Sequence, residues 1–220
     1  MPSVSKARRL TGKRDQSKFD PTRRHPPASA EKVLETALRL FAIHGYSGTT
    51  IEDIKLQSEV SVGVIYHHFG SKEGIAGALY VQSLWNFQRG LIESLDRREK
   101  GSEQSVRAAV GHHLGWIDEN RRRAAFLMRR RETEVLDANR SDVALLNLRL
   151  FEDIEVWYRP RVERGEIRDL PLPLLGAIWF GPAQEYARAM FDGPMPQRDA
   201  RLADAEPILA DAAWAALQPG

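Results

Sequence analysis

The sequence predicts an all-α protein, because hydrophobic residues recur with helical spacing along nearly the whole chain after residue 28. No segments alternate β-branched and polar residues between turn residues, the pattern typical of strands. The 220 residues include no cysteine, which excludes a disulfide framework, a thiolate metal site and a cysteine nucleophile. With 42% hydrophobic and 28% charged residues, the composition is that of an ordinary water-soluble protein.

Residues 1–28 are expected to form a disordered basic arm ahead of the folded part. They hold eight of the 32 basic residues but only two of the 30 acidic ones, and they end in a proline-rich segment that cannot continue a helix. Lysine and arginine displace counterions from phosphates, so the arm indicates a nucleic acid or an anionic membrane surface as partner. A solvated tail with no partner is the alternative.

The first two helices are predicted from their capping residues. Ser29 is the expected N-cap of the first helix, and Gly45 is its expected left-handed stop. The second helix begins at Thr49 or Thr50, since each threonine has a carboxylate three residues later and can form a capping box. The apolar face of the second helix is predicted to consist of Ile51, Ile54 and Leu56.

A third and a fourth helix follow closely. The second helix breaks near residues 58–60, and Ser61 is expected to begin a third helix that ends near His68. Ser71 precedes a fourth helix predicted to run to about Arg89. Three short helices, with a tight turn between the second and the third, are typical of a helix-turn-helix.

This region resembles the DNA-binding domain of the TetR family of transcriptional regulators. The residues that carry the resemblance are Leu40-Phe41, Gly45-Tyr46, Thr49 to Ile54, Val60-Ser61, Gly63, Ile65 to Phe69 and Ser71 to Glu73. The resemblance implies a helix-turn-helix DNA-binding domain at residues 29–80, followed at residues 81–220 by a helical domain that binds an effector and dimerises. Glu59 stands where the family usually has glycine in the turn, and a left-handed non-glycine residue there costs roughly 1 kcal/mol or more.

The DNA-binding residues follow from the resemblance and from the geometry of the third helix. Tyr66 and Thr50 match phosphate contacts of the family, and Lys72 adds a positive charge to a helix N-terminus, which favours an anion. Gly63 lets the backbone lie close to DNA phosphates or to a neighbouring helix. The predicted contacts with base edges are Ser61, Val62, Val64 and His67. Because two of these are valines, specificity is expected to depend on His67 and on DNA shape.

The second domain has no catalytic motif, so neither an enzyme nor a cofactor is predicted. His112 and His113 diverge by about 100° on a helix and are not expected to share a metal ion. Three helical stretches, residues 111–117, 145–158 and 172–191, are rich in aromatic side chains, most of which must be core. In the family the effector cavity opens between the matching helices. This implies, as candidate pocket residues, His113, Trp116, Phe151, Trp157, Tyr158 and Trp179.

Two further stretches resemble the helices that form the family's dimer interface. Residues 174–190 are rich in glycine and alanine, and residues 202–217 are rich in alanine. Small residues allow close approach of helices. The alternative is that these helices only close the core of the monomer.

The sequence thus predicts a cytoplasmic, homodimeric regulator. Its expected partners are a double-stranded DNA operator and an unidentified small-molecule effector. The protein is expected to be a repressor, and binding of the effector is expected to release it from the operator. The longest charge-free apolar stretch, residues 170–183, is shorter than the ~20 residues of a membrane-spanning helix. Two alternatives remain: an enzyme or small-molecule carrier with a vestigial head, and a DNA-binding module without an effector.

Overall fold

The computed structural model describes residues 27–95, 101–128, 139–192 and 201–220. These residues form nine α-helices, one 3-10 helix and no strand, which confirms the all-α prediction. The α-helices are α1 Ala28–His44, α2 Ile51–Ser58, α3 Val62–Phe69, α4 Lys72–Leu95, α5 Ser102–Glu119, α6 Arg121–Met128, α7 Arg140–Glu163, α8 Leu172–Asp192 and α9 Glu206–Leu217. The 3-10 helix, Leu202–Ala205, precedes α9. Nearly all of the predicted basic arm lies outside the described residues.

The first three helices and the start of α4 form one small domain, residues 28–80, which we call the head. Its hydrophobic core draws on all four helices and includes Leu34, Ile54, Ile65 and Leu79, each without exposed surface. Helix α4 continues through residue 80 without a break. It therefore joins the head to the remaining residues, which we call the body.

Glu59 makes the turn between α2 and α3. It has φ 55° and ψ 24°, and it is the one non-glycine residue with positive φ in the part of the chain that the structure describes. Its N–H donates to the carbonyl of Lys55 at 2.9 Å, and its carboxylate accepts from Lys32 Nζ at 2.8 Å. The expected left-handed glutamate is confirmed, and its bond to Lys32 helps to fasten the turn to α1.

The capping box of α2 is present in one of the two predicted registers. Thr50 Oγ1 accepts from the N–H of Asp53 at 3.1 Å, and Asp53 Oδ2 accepts from the N–H of Thr50 at 2.9 Å. The Thr49 hydroxyl instead donates to the carbonyl of Gly45 at 2.9 Å. Gly45 ends α1 with φ 74°, the positive φ expected there.

Two local predictions were wrong. Helix α1 begins at Ala28 with Pro27 at the N-cap and no side-chain cap, because the Ser29 hydroxyl lies instead 3.1 Å from Nε2 of His68 on α3. Leu56 is 76% exposed; the short α2 packs on α1 and α3 through Ile54, and Leu56 lies outside that contact.

The body is arranged around α5, which packs against α4, α8 and α9. Its core contains large side chains from five helices, among them Leu114, Tyr158, Trp179 and Leu217. Trp179 Nε1 donates to the carbonyl of Val106 at 3.1 Å, which ties α8 to α5. Within the described ranges, every helix is too short or too polar to cross a membrane.

Candidate DNA-binding and effector sites

Helix α3 has one face buried in the head and one face, which we call its outer face, exposed to solvent. Ile65 is fully buried in the head, whereas Val64 is 36% and Tyr66 50% exposed. Ser61 and His67 are exposed as well. Ser61 also caps the helix, since its Oγ accepts from the N–H of Val64 at 3.4 Å. Of the residues predicted to contact base edges, only Val62 is half-buried, and the other three lie on the solvent side.

Gly63 lies on the exposed side of α3, where no described atom would come within 4 Å of an added Cβ. A neighbouring helix therefore does not require a glycine at this position. Close approach of the α3 backbone to DNA is therefore the remaining explanation for Gly63.

His68, next to His67, is half-buried and contacts Ser29 on α1. Burial and the adjacent His67 lower the pKa of His68. The two neighbouring histidines thus differ: His68 connects α3 to α1, and His67 is left exposed to solvent.

Lys72 fastens the start of α4 to the turn between α1 and α2. Its Nζ donates to the carbonyls of Tyr46 at 3.0 Å and Thr49 at 2.9 Å, and it lies 4.4 Å from the centre of the Tyr46 ring. The Tyr46 hydroxyl in turn donates to Glu73 at 2.9 Å. An ammonium group has three donors, so one remains for a phosphate. The sequence did not reveal this structural role of Lys72.

The Thr50 side chain is also engaged within the head. Its hydroxyl donates to Asp53 Oδ2 at 2.6 Å while accepting from the N–H of Asp53. Hydrogen bonds from Thr50 lower the pKa of Asp53, which keeps this carboxylate ionised. A phosphate at Thr50 therefore has to compete with Asp53 for the hydroxyl hydrogen.

Two neighbouring cavities open in the body beside α4, α5 and α8, and α7 borders only the first of them. The first cavity, of about 330 Å³, is lined by Phe87, Leu91, His113, Leu150, Phe151, Ile154, Leu172, Leu175, Gly176, Trp179, Phe180, Gly181 and Gln184. The second cavity, of about 460 Å³, also reaches α6 and is lined by Leu84, Phe87, His113, Trp116, Ile117, Ala124, Leu127, Met128, Gln184, Glu185 and Arg188. Volumes of this size suit small-molecule ligands.

The structure places four of the six candidate pocket residues on these cavities. His113 lines both, Phe151 and Trp179 line the first, and Trp116 lines the second. The other two line neither. Trp157 packs against Trp179 with ring centres 5.3 Å apart, and the Tyr158 hydroxyl is bonded to backbone groups of Arg168 and Leu170. Trp157 and Tyr158 therefore belong to the core and to the support of the α7–α8 connection.

His113 is the buried polar residue of the cavities. It is 4% exposed, and neither ring nitrogen has a hydrogen-bonding partner among the described residues. Burial, reinforced by the neighbouring His112, lowers the pKa of His113 to about 4 against the opposing effect of the nearby Gln184 side chain, so its imidazole is neutral at pH 7. His112 itself is oriented away, with Nε2 3.0 Å from the carbonyl oxygen of Phe87. Of the residues that the structure describes, no three metal-binding side chains converge.

Helix α6 connects the second cavity to the head, a contact that the sequence did not reveal. The Phe126 ring stacks on Phe41 of α1, with ring centres 5.9 Å apart, and it forms part of the head core. Arg123 forms an ion pair with Glu35 of α1. On the same short helix, Ala124, Leu127 and Met128 line the second cavity.

The head is similar to a known family of proteins. The sequence pattern of the bacterial regulatory proteins of the tetR family matches residues 33–79, which include α2, α3 and most of α1. Residues 33–79 of this chain are thus similar to the DNA-binding region of the TetR family. The helix-turn-helix predicted from the resemblance is the matched region.

The relatives that match part of this chain include two named as HTH-type transcriptional repressor AcnR. The protein of Corynebacterium glutamicum is 34% identical over 110 residues, which cover 42% of this chain and 58% of the relative. That of Corynebacterium efficiens is 44% identical over 98 residues, which cover 40% and 52%. The chain thus matches little more than half the length of these relatives.

Solved structures extend the likeness to the fold of both domains. The fatty acid degradation regulator FadR of Bacillus halodurans has a TM-score of 0.70 at 16% identity, covering 88% of this chain and 98% of that one. The TetR-family regulator PfmR of Thermus thermophilus has a TM-score of 0.64 at 22% identity, covering 82% and 96%. At these identities the likeness concerns the fold alone.

Proposed function

We propose that this chain is a homodimeric DNA-binding transcriptional repressor that a small-molecule effector releases from its operator. The observation that carries the proposal is the outer face of α3. This face exposes Ser61, Val64, Tyr66 and His67 to solvent. Packing within the head does not require the glycine among them, Gly63. A helix of this form fits the major groove. The matched relatives are named as transcriptional regulators, which favours this function over the enzyme or carrier alternative.

Roles within the head divide by position. Tyr66, Thr50 and the remaining donor of Lys72 are proposed to hold phosphates, and the exposed His67 and Val64 to face base edges. Phosphate contacts position a protein on DNA, whereas base contacts select the sequence. Substitution of Lys72 weakens the head as well as the phosphate contact, so Tyr66 is the better probe of positioning.

The proposed coupling between effector and DNA runs through two helices. Helix α6 carries cavity residues on one face and Phe126 and Arg123, which contact α1, on the other. Helix α4 carries Phe87, which lines both cavities, and continues into the head. A ligand that moves either helix shifts the head relative to the body. In a dimer, such a shift changes the distance between two recognition helices that must fit grooves about 34 Å apart.

The proposed dimer uses the outer faces of α8 and α9. Leu174 is 46% and Ile208 73% exposed, and exposed alanines lie beside them. Two helices from each chain of a two-fold dimer would then form a four-helix interface. Gly181 lines the first cavity, so substitutions there confound dimerisation with effector binding.

Sedimentation equilibrium at micromolar concentration tests the dimer. The wild-type protein is expected to sediment as a dimer, and Ile208→Glu is expected to shift it towards monomer. Val156, 76% exposed on α7, gives the matched control, because Val156→Glu is expected to leave the dimer intact. A monomeric wild type, or equal loss in both variants, would contradict the proposed interface.

Selection of DNA by the purified protein tests the function itself. A pool of random duplexes is passed over the immobilised chain, and the retained duplexes are sequenced. The expected product is a palindrome whose half-sites are about one helical turn apart, since a two-fold dimer reads two successive grooves. Recovery of duplexes without any enriched sequence would contradict the proposal.

A further inference from the structure

The two cavities meet at three side chains. Phe87, His113 and Gln184 line both of them. One ligand that reaches past these side chains therefore contacts both α6, on the second cavity, and α7, on the first.

His113 is the buried polar side chain shared by the two cavities. Its ring is almost fully buried, and neither nitrogen makes a hydrogen bond of normal geometry with the described residues, although the Gln184 side chain on the same cavities is close enough to favour its protonated form. An unpaired buried polar group costs free energy that a ligand hydrogen bond would recover. A neutral imidazole offers one donor and one acceptor, so the complementary group on the ligand is a hydroxyl or a carbonyl.

The described linings provide no uncompensated charge. The first cavity is lined by no charged residue. The second has Glu185 and Arg188, whose side chains bond each other at 2.6 and 2.7 Å. A ligand carboxylate would have to displace Glu185 from Arg188, and a ligand cation would have to displace Arg188 from Glu185. A charged ligand would also lose its hydration among mostly apolar walls.

We infer that the effector is an uncharged, largely apolar small molecule with a single hydroxyl or carbonyl group that hydrogen-bonds to His113. Its apolar part lies against Phe87 and the aromatic walls of the two cavities. This inference rests on the proposed function, because it names the class of the effector that the regulator binds.

Three probes that share one apolar frame test this inference: 4-phenylphenol, biphenyl and biphenyl-4-carboxylate. Binding is measured at pH 7 by isothermal calorimetry and by quenching of tryptophan fluorescence, since Trp116 and Trp179 line the cavities. The phenol is expected to bind about tenfold more tightly than the hydrocarbon, the gain typical of one buried hydrogen bond. The carboxylate is expected to bind most weakly.

Variants locate the hydrogen bond. His113→Phe keeps a ring in place but removes both nitrogens, so it is expected to abolish the preference for the phenol and to leave biphenyl binding. His113→Gln restores a donor and an acceptor and is expected to regain part of the preference. His44→Gln, an exposed histidine of the head, is the control expected to match the wild type.

Several outcomes would overturn the inference. They are tightest binding of the carboxylate, a phenol preference that survives in His113→Phe, and failure of all three probes to bind the wild-type protein. None of these measurements involves DNA, so the duplex selection described above can succeed or fail independently of them.

Discussion

The head and the body differ in how they satisfy their buried polar groups. In the head, the buried Thr49 hydroxyl donates to Gly45, and the buried Ser58 hydroxyl accepts from the N–H of Val60 at 3.3 Å. In the body, buried side-chain atoms without a partner among the described residues occur on Ser105, His113, Glu155, Trp157 and Arg161. The described part of the head has no such atom.

This difference matches the different tasks proposed for the two regions. A fully bonded head fixes the orientation of α3, and a fixed recognition helix is what base contacts require. Of these unsatisfied groups His113 alone lines the two cavities, so the body gains stability when a ligand bonds to His113. Helices α4 and α6 connect the rigid region to the region that a ligand changes.

The largest expected effect comes from breaking the contact between the two regions. Phe126→Ala removes a body side chain from the head core and is expected to destabilise the protein by about 3–5 kcal/mol, as buried phenylalanines do. Urea unfolding measures this loss, and hydrogen exchange of the α1 amides reports whether the head loosens. Phe151→Ala is the control, since Phe151 is 43% exposed and should cost only about 1 kcal/mol. Equal losses would contradict the role of Phe126 in the head core.

The pH dependence of the free energy of unfolding tests whether His113 is buried as a neutral ring. The folded-state pKa is about 4, below the ~6.5 of an unfolded histidine, so between these values the unfolded chain binds a proton that the folded chain does not. Stability therefore falls as the pH decreases through this window, by roughly 2 kcal/mol from pH 7 to pH 5 for this one group. Urea unfolding at the two pH values should show a smaller difference for His113→Phe than for the wild type.

The pH prediction has an internal control. Bonds from Arg164 and Ser102 lower the pKa of Glu166 to about 2. Its stabilisation is present above an unfolded pKa of about 4.3 and is lost only as the pH falls towards 2. The two groups therefore act in different pH windows. An identical loss between pH 7 and pH 5 in His113→Phe and wild type would show that His113 is not buried as a neutral ring.

The smallest expected effect concerns Gly63. Gly63→Ala should stabilise the folded chain by about 0.5–1 kcal/mol, because alanine favours a helix and the added Cβ meets nothing. Gly115→Ala on α5, where an added Cβ also meets nothing within 4 Å, should stabilise similarly. Thermal unfolding compares their stability, and a gel-shift assay compares their DNA binding. Weaker DNA binding is expected for the Gly63 variant alone, and equal affinity would contradict close approach of α3 to DNA.

Local patterns predicted the head well, because its features depend on residues close in sequence. The Thr50 capping box joins residues three positions apart, and the left-handed Glu59 follows from the short turn between two helices. The Ser29 cap was wrong because His68, far along the chain, is within hydrogen-bonding distance of that hydroxyl. Leu56 was wrongly predicted to lie on the packed face of α2. Helical spacing shows which residues share a face, but it does not show how much of a two-turn helix is buried by its neighbours.

The body was predicted only in outline. Its helical stretches and four of its pocket residues follow from composition and from the resemblance, yet Trp157 and Tyr158 are as aromatic as Trp116 and Trp179. Only contacts between distant segments decide which of them face a cavity. The same limit hid Phe126, whose partner Phe41 lies in another domain.

The central claim is that α3 reads DNA, and one affinity ratio tests it most directly. Fluorescence anisotropy at a single salt concentration gives the affinity for a selected palindrome and for its scrambled duplex. His67→Ala is expected to reduce the binding free energy by ~1–3 kcal/mol, mainly for the palindrome. Tyr66→Phe is expected to weaken binding to both duplexes alike. A lower specific-to-scrambled ratio in His67→Ala alone is the predicted result, and an unchanged ratio in His67→Ala would contradict the claim.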